Sequence, residues 1–261
     1  MNFKFLPLMT NPSRQFYILL AFLLLAAAGC TPEEKSEAQA IVDAAIAAHG
    51  GQHLDQSVVT FRFRDRQYRA LRDNGAYVYS RTFTDSTGQR IHDVLRNSGF
   101  ERTVDDAVVE LPQEKLEAYS ASVNSVIYFA QLPYFLNDPA VQKAYIGEAT
   151  VKGEPYHKVK VTFEATGGGE DHQDVYVYWF HRRDHTMDYL AYSFEEEDGS
   201  EGTRFREAVN AREVGGVRFQ DYINYTSKEK LPLEKFDQAF EAGKLEKVSV
   251  INLEDVKVSG I

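Results

Sequence analysis

Residues 170–174, Glu170-Asp171-His172-Gln173-Asp174, set one imidazole and three carboxylates side by side, directly behind Gly167-Gly168-Gly169. On a strand, alternate side chains share a face, so His172 and Asp174 would offer a divalent cation two borderline or hard ligands. A third ligand must come from elsewhere, and Asp188, on the neighbouring predicted strand, is the nearest source. Three ligands with an open position would activate water, which makes a metal-assisted hydrolase one reading of the chain. The simpler reading is an acidic hairpin tip whose glycines serve the turn, since nothing matches a His-Glu-x-x-His helix.

A second set of polar residues is cationic. Arg62, Arg64, Arg66, Arg81, Arg204 and Arg206 recur with strand alternation. Any that face inward suit a carboxylate or phosphate headgroup, while those that face outward pair with Asp and Glu on a wet surface. Around them lies an unusual aromatic load, 15 Tyr and 17 Phe. Phe61, Phe63, Tyr77 and Tyr79 from early strands, with Tyr176, Tyr178, Trp179 and Tyr189 from later ones, could line a broad apolar cavity. Arg81, Asn124 and Tyr128 complete the expected ligand-binding set as its polar members. Such a lining suits an acyl chain or a hydrophobic small molecule. Nucleophile elbows, Walker loops and dinucleotide-binding glycines are missing, so no catalytic residue and no cofactor is assigned.

The elements that must position these residues follow from periodicity. Ala38, Ile41, Val42, Ala45 and Ile46 repeat at three and four residues and give a helix with one buried stripe, stopped by Gly50-Gly51. From Val58 the period becomes two, and Asn74-Gly75 between two such runs is a hairpin signal. Leu116, Tyr119, Val123, Val126, Ile127 and Ala130 return to helical spacing before Pro133. β-rich runs then resume to Val258, broken by a short helix over Leu233 to Ala242. The expectation is a mainly β (α+β) fold of about eleven strands: a curved antiparallel sheet or unclosed barrel with helices packed on one face.

The first thirty residues carry a different signal. Lys4 and Arg14, an apolar run from Phe16 to Ala28 and the small residues before Cys30 make a secretory signal, too short for a good membrane span. Leu25-Ala26-Ala27-Ala28-Gly29-Cys30 resembles a bacterial lipobox, with Ala27 where Leu, Val or Ile is usual. That resemblance implies cleavage before Cys30, the only cysteine, and palmitate-type acylation of its thiol. The expected organisation is a signal peptide over 1–29, a lipidated tether over 30–35 and one domain over 36–261. Loss of Lys4 and Arg14 with the signal moves the net charge from −10 to −12. So acidic a chain has no electrostatic reason to hold nucleic acid, and its membrane contact is expected through the anchor alone.

The order of pieces, an N-terminal helix, a meander, inserted helices and further antiparallel strands, resembles the LolA and LolB type of lipoprotein carrier. Several stretches also resemble a family of uncharacterised Gram-negative lipoproteins, a domain of unknown function. They include Ala48-His49-Gly50-Gly51, Val123-Asn124-Ser125-Val126-Ile127-Tyr128-Phe129 and Arg204-Phe205-Arg206-Glu207-Ala208. The resemblance implies an outer-membrane or cell-envelope lipoprotein, periplasmic or surface-exposed. With the residues above, the leading expectation is a protein that binds an apolar or amphipathic ligand in a half-open barrel and performs no chemistry. A passive module for envelope protein partners is the other alternative to the hydrolase.

Overall fold

Alternating apolar and polar side chains build most of the chain in the computed structural model, which describes residues 36–166, 173–195 and 199–261. The runs form two seven-stranded antiparallel sheets, each a meander. The first contains β1 (Gln56–Phe63), β2 (Arg66–Asp73), β3 (Ala76–Thr84), β4 (Arg90–Arg96), β5 (Gly99–Val104) and β6 (Ala107–Val108), with β14 (Glu254–Gly260) beside β1. The second contains β7 (Val141–Val151), β8 (Glu154–Phe163), β9 (Val175–His181), β10 (Met187–Glu195), β11 (Glu201–Val214), β12 (Val217–Ser227) and β13 (Leu245–Ile251).

This is the mainly β, unclosed antiparallel architecture that the periodicity predicts, with fourteen strands among the described residues instead of about eleven. The difference is local: one extra strand is the two-residue β6, and the other two come from unannounced breaks. The β1–β2 turn is made by Arg64, at φ 55°, and the last β-rich run breaks between β13 and β14. Neither break carries the Asn-Gly or Gly-Gly pair that announces a turn. Asn74 and Gly75, at φ 48° and 89°, form the expected hairpin.

Among the described residues three α-helices pack on these sheets. In α1 (Glu37–Ala48) the buried Ala38, Val42 and Ala45 meet Val159, Tyr178 and Leu190 of the second sheet. The left-handed stop falls on Gly50, at φ 75°, where a Cβ would lie 1.9 Å from the Gly216 carbonyl oxygen. His49 ties the same end down: its Nε2 accepts from the Met187 amide at 3.0 Å, and its carbonyl accepts from the Arg218 amide. In α2 (Gln113–Ala130) Val123 and Ile127 are fully buried against Phe61, Tyr68 and Tyr79 of the first sheet. The short α3 (Phe236–Glu241) covers the other face of the second sheet over Trp179, Tyr189 and Phe205.

The chain passes between the sheets at Leu253. Its amide donates to Asp221 Oδ1 at 2.9 Å, and its carbonyl accepts from Arg212, which also pairs with Asp221. Among the described residues no helix is long and apolar enough to cross a membrane.

Candidate functional site

α2 reaches both sheets. While Val123 and Ile127 fill the first sheet, Ser120, Ala121, Asn124, Ser125, Tyr128 and Phe129 face a cleft of about 690 Å³ between the helix and the second sheet. Tyr77 and Leu95 close it on the first-sheet side, and Phe163, Tyr176, Tyr192 and Phe194 form the opposite wall. That wall is a ladder of rings. Tyr176 stacks on Tyr192 with centroids 5.4 Å apart, Phe163 meets Tyr176 edge-on at 5.7 Å, and Phe129 leans from α2 onto Tyr192 at 5.4 Å. Strand alternation puts Tyr176 on the inner face, and the offset geometry is the one that ring quadrupoles favour. At the rim stand the exposed Asn124, Gln173 and Glu195, beside Asp174.

A smaller cavity of about 180 Å³ adjoins the first, and Ser125 and Phe129 line both. Its other walls are Val126 and Ala130 of α2, Phe63 of β1, and Ile251 and Leu253 where the chain crosses between sheets. The polar floor is Arg206 of β11 with Gln220 and Tyr222 of β12. Gln220 Nε2 donates to the Met187 carbonyl at 2.7 Å and to Tyr222 Oη at 2.9 Å. Burial raises the Tyr222 phenol to about 12, against the opposing pull of the Gln220 hydrogen bond and the Arg206 charge. Burial likewise raises Tyr128 and Tyr178, so the rings here stay neutral at physiological pH. The described lining of the two cavities contains no His, Cys or Lys. The walls of the large cleft are largely aromatic, with Ser120 and Ser125 of α2 beside the rings and Asn124, Gln173, Asp174 and Glu195 at the rim.

The structure gathers part of the predicted ligand-binding set. Tyr77, Asn124, Tyr128 and Tyr176 line the large cleft, and Phe63 lines the small cavity. Phe61 and Tyr79 sit deeper in the first-sheet core, and Tyr178 is fully buried beneath α1. Trp179 and Tyr189 alternate to the opposite face, under α3. Arg81 faces inward but is already engaged: it donates to Asp93 at 2.5 and 2.8 Å and to Ser122 at 2.8 Å, while Arg102 takes the other Asp93 oxygen at 2.6 Å. Arg62 is a surface partner of Asp255.

Of the predicted metal ligands, His172 lies outside the described residues. Asp188 stands between Met187 and Tyr189, which pair with Phe180 and Trp179. It is therefore about five residues, roughly 17 Å, along the ladder from Asp174, and the two carboxylates do not converge. Asp188 instead accepts from Tyr156 at 3.1 Å. Among the described residues no three His, Cys, Asp or Glu side chains gather as a metal site. Cys30 also lies outside the described residues.

Sequence reasoning left Phe129, Phe163, Phe194 and Gln220 out of the lining. Phe129 stands i+4 from Ser125 on α2, so the helical face that carries Asn124 and Tyr128 already pointed to it. Phe163 and Gln220 are placed by strand pairing alone.

A DUF1329 family protein from Desulfovibrio piger is 11% identical over 85% of this chain and 93% of its own, with a TM-score of 0.49. A LolA superfamily protein from Nitrosomonas europaea is likewise 11% identical over 86% of this chain and 94% of its own, with a TM-score of 0.48. No curated protein matches the sequence. Residues 13–253 match the model of a family of unknown function, DUF6503, and the chain belongs to that family.

Proposed function

We propose that this protein is a cell-envelope lipoprotein that binds an apolar or amphipathic ligand, a lipid or hydrophobic small molecule, in the cleft between α2 and the second sheet. The observation that carries the reading is the unfilled volume. About 690 Å³ remains between ring-lined walls whose own side chains could have closed on one another. The lining is aromatic inside and polar at the rim, which suits a chain-like guest and offers no reacting pair. The lipobox-like run ending in Cys30 supports a tether to the outer membrane, with the domain held beside lipid. The hydrolase reading gains no support from the separated Asp174 and Asp188, and an envelope protein partner remains compatible with the same rim.

The test is uptake of a neutral fluorescent naphthylamine by the full-length protein, with lipid extraction and mass spectrometry of the protein as purified from its membrane. Saturable uptake is expected. Ala121→Trp, which puts an indole into the cleft from the exposed side of α2, should weaken it at least about tenfold, on the order of 1.4 kcal/mol. No uptake by the native chain, or uptake indifferent to Ala121→Trp, refutes the assignment of the cleft.

A further inference from the structure

The small cavity contains a charge that the fold leaves without a counterion. Arg206 is only 8% exposed, and among the described residues no Asp or Glu pairs with it. One nitrogen, Nη2, donates to Tyr192 Oη at 2.7 Å, while buried Nε has no partner. Three rings surround the guanidinium instead: Phe129 at 4.1 Å, Tyr192 at 5.0 Å and Tyr222 at 5.9 Å. Ring faces attract the charge but do not satisfy the N–H. Arg81, a fully buried arginine of the predicted set, has instead a fully buried carboxylate at 2.5 Å. An isolated buried cation is among the least favourable groups a fold can hold.

The neighbours are arranged as donors. Tyr192 Oη accepts from Arg206 and Tyr222 Oη accepts from Gln220, which leaves each phenol its own proton to give. Gln220, 4% exposed, holds Tyr222 in place through Nε2, and its Oε1 is unpartnered. At the other end the exposed Glu195 stands at the mouth of the large cleft, a carboxylate that a negative headgroup would avoid.

We propose that the ligand is a single-chain amphiphile with a compact anionic head, bound head first. Its anion takes Arg206 Nε and the Tyr222 hydroxyl on the floor of the small cavity, and its chain passes Phe129 into the large cleft. Phe129, 4.1 Å from the guanidinium, is the shared wall, and its rotation both uncovers Nε and joins the two volumes. This inference rests on the cleft being a ligand site. A fatty carboxylate and an alkyl phosphate share the required chemistry.

Direct binding of hexadecanoate, hexadecyl phosphate and neutral hexadecan-1-ol to the full-length protein tests it. The native protein should prefer at least one of the two anions to the alcohol by about tenfold or more, the ratio expected of one charge-assisted hydrogen bond. Which anion wins identifies the source of the head. Arg206→Gln should erase the preference while hexadecan-1-ol still binds. Gln220→Glu, which puts a carboxylate into the cavity that Arg206 lines, should erase it too and keeps the test open if Arg206→Gln does not fold. Equal affinity for all three in the native protein, or a preference that survives both variants, overturns the anion site and leaves the cleft intact. Failure to bind even the alcohol overturns both readings.

Discussion

At the scale of single residues, the buried polar groups set the response to pH and mutation. The His49 imidazole is driven down to about 3 chiefly by burial, with the Arg218 charge adding to the effect. The unfolded imidazole takes a proton near its ordinary value of 6.5, whereas the folded one refuses it until about pH 3. The unfolded state therefore binds more protons across this window, and stability falls as pH drops from 6.5 toward 3, by up to about 1.4 kcal/mol per pH unit. His49→Gln keeps an acceptor for the Met187 amide without the titration. Its urea midpoint should decline less between pH 7 and pH 5 than that of the native chain. Asp93, fully buried between Arg81 and Arg102, is the other sensitive position. Asp93→Ala leaves two largely buried cations unpaired and should cost about 3–5 kcal/mol in urea denaturation. A loss below about 1 kcal/mol would show that solvent reaches the pair.

At the scale of elements, the close approaches decide what each segment tolerates. Gly50 joins α1 to the β11–β12 turn, with a left-handed φ of 75° and the Gly216 carbonyl where a Cβ would stand. Gly50→Ala combines backbone strain with a backbone clash and should destabilise by more than about 2 kcal/mol, read as a lower melting temperature. α3 is held by Phe236, which packs with Phe205 over Trp179. Phe236→Ala should cost about 3–5 kcal/mol and shift the emission of Trp179, the only tryptophan, to the red. Because Trp179 is on the face opposite the cleft, filling the cleft should leave that emission nearly unchanged. A ligand that strongly quenches Trp179 would place its site under α3 instead.

At the scale of the whole molecule, two open sheets share one inserted helix, and the unfilled space lies where α2 meets the second sheet. The proposed lipid on Cys30 would hold this open cleft beside a membrane, the source from which the proposed ligand would come. The proposed acylation of Cys30 makes its own prediction. The native chain should sediment with membranes, and Cys30→Ser should release it to the soluble fraction, since several acyl chains anchor stably where none leaves only surface charge. Membrane association unaffected by Cys30→Ser would mean that something other than a thiol-linked lipid holds the protein.

Local pattern alone determined most of the architecture: the two long helices, the Asn74-Gly75 hairpin and the antiparallel runs all follow from spacing and turn chemistry, which act within a few residues. The aromatic load suggested a ring-lined cavity without its place, and most of those rings pack the cores instead. What only the tertiary structure decided was which rings share that volume. Tyr176 and Trp179 are three residues apart on one strand, so alternation sends them to opposite faces, and the face that lines a cleft is chosen by where α2 and α3 dock. The same holds for the arginines. Arg81 and Arg206 read alike in sequence, and only strand pairing gives one a buried carboxylate and leaves the other facing a cavity with none.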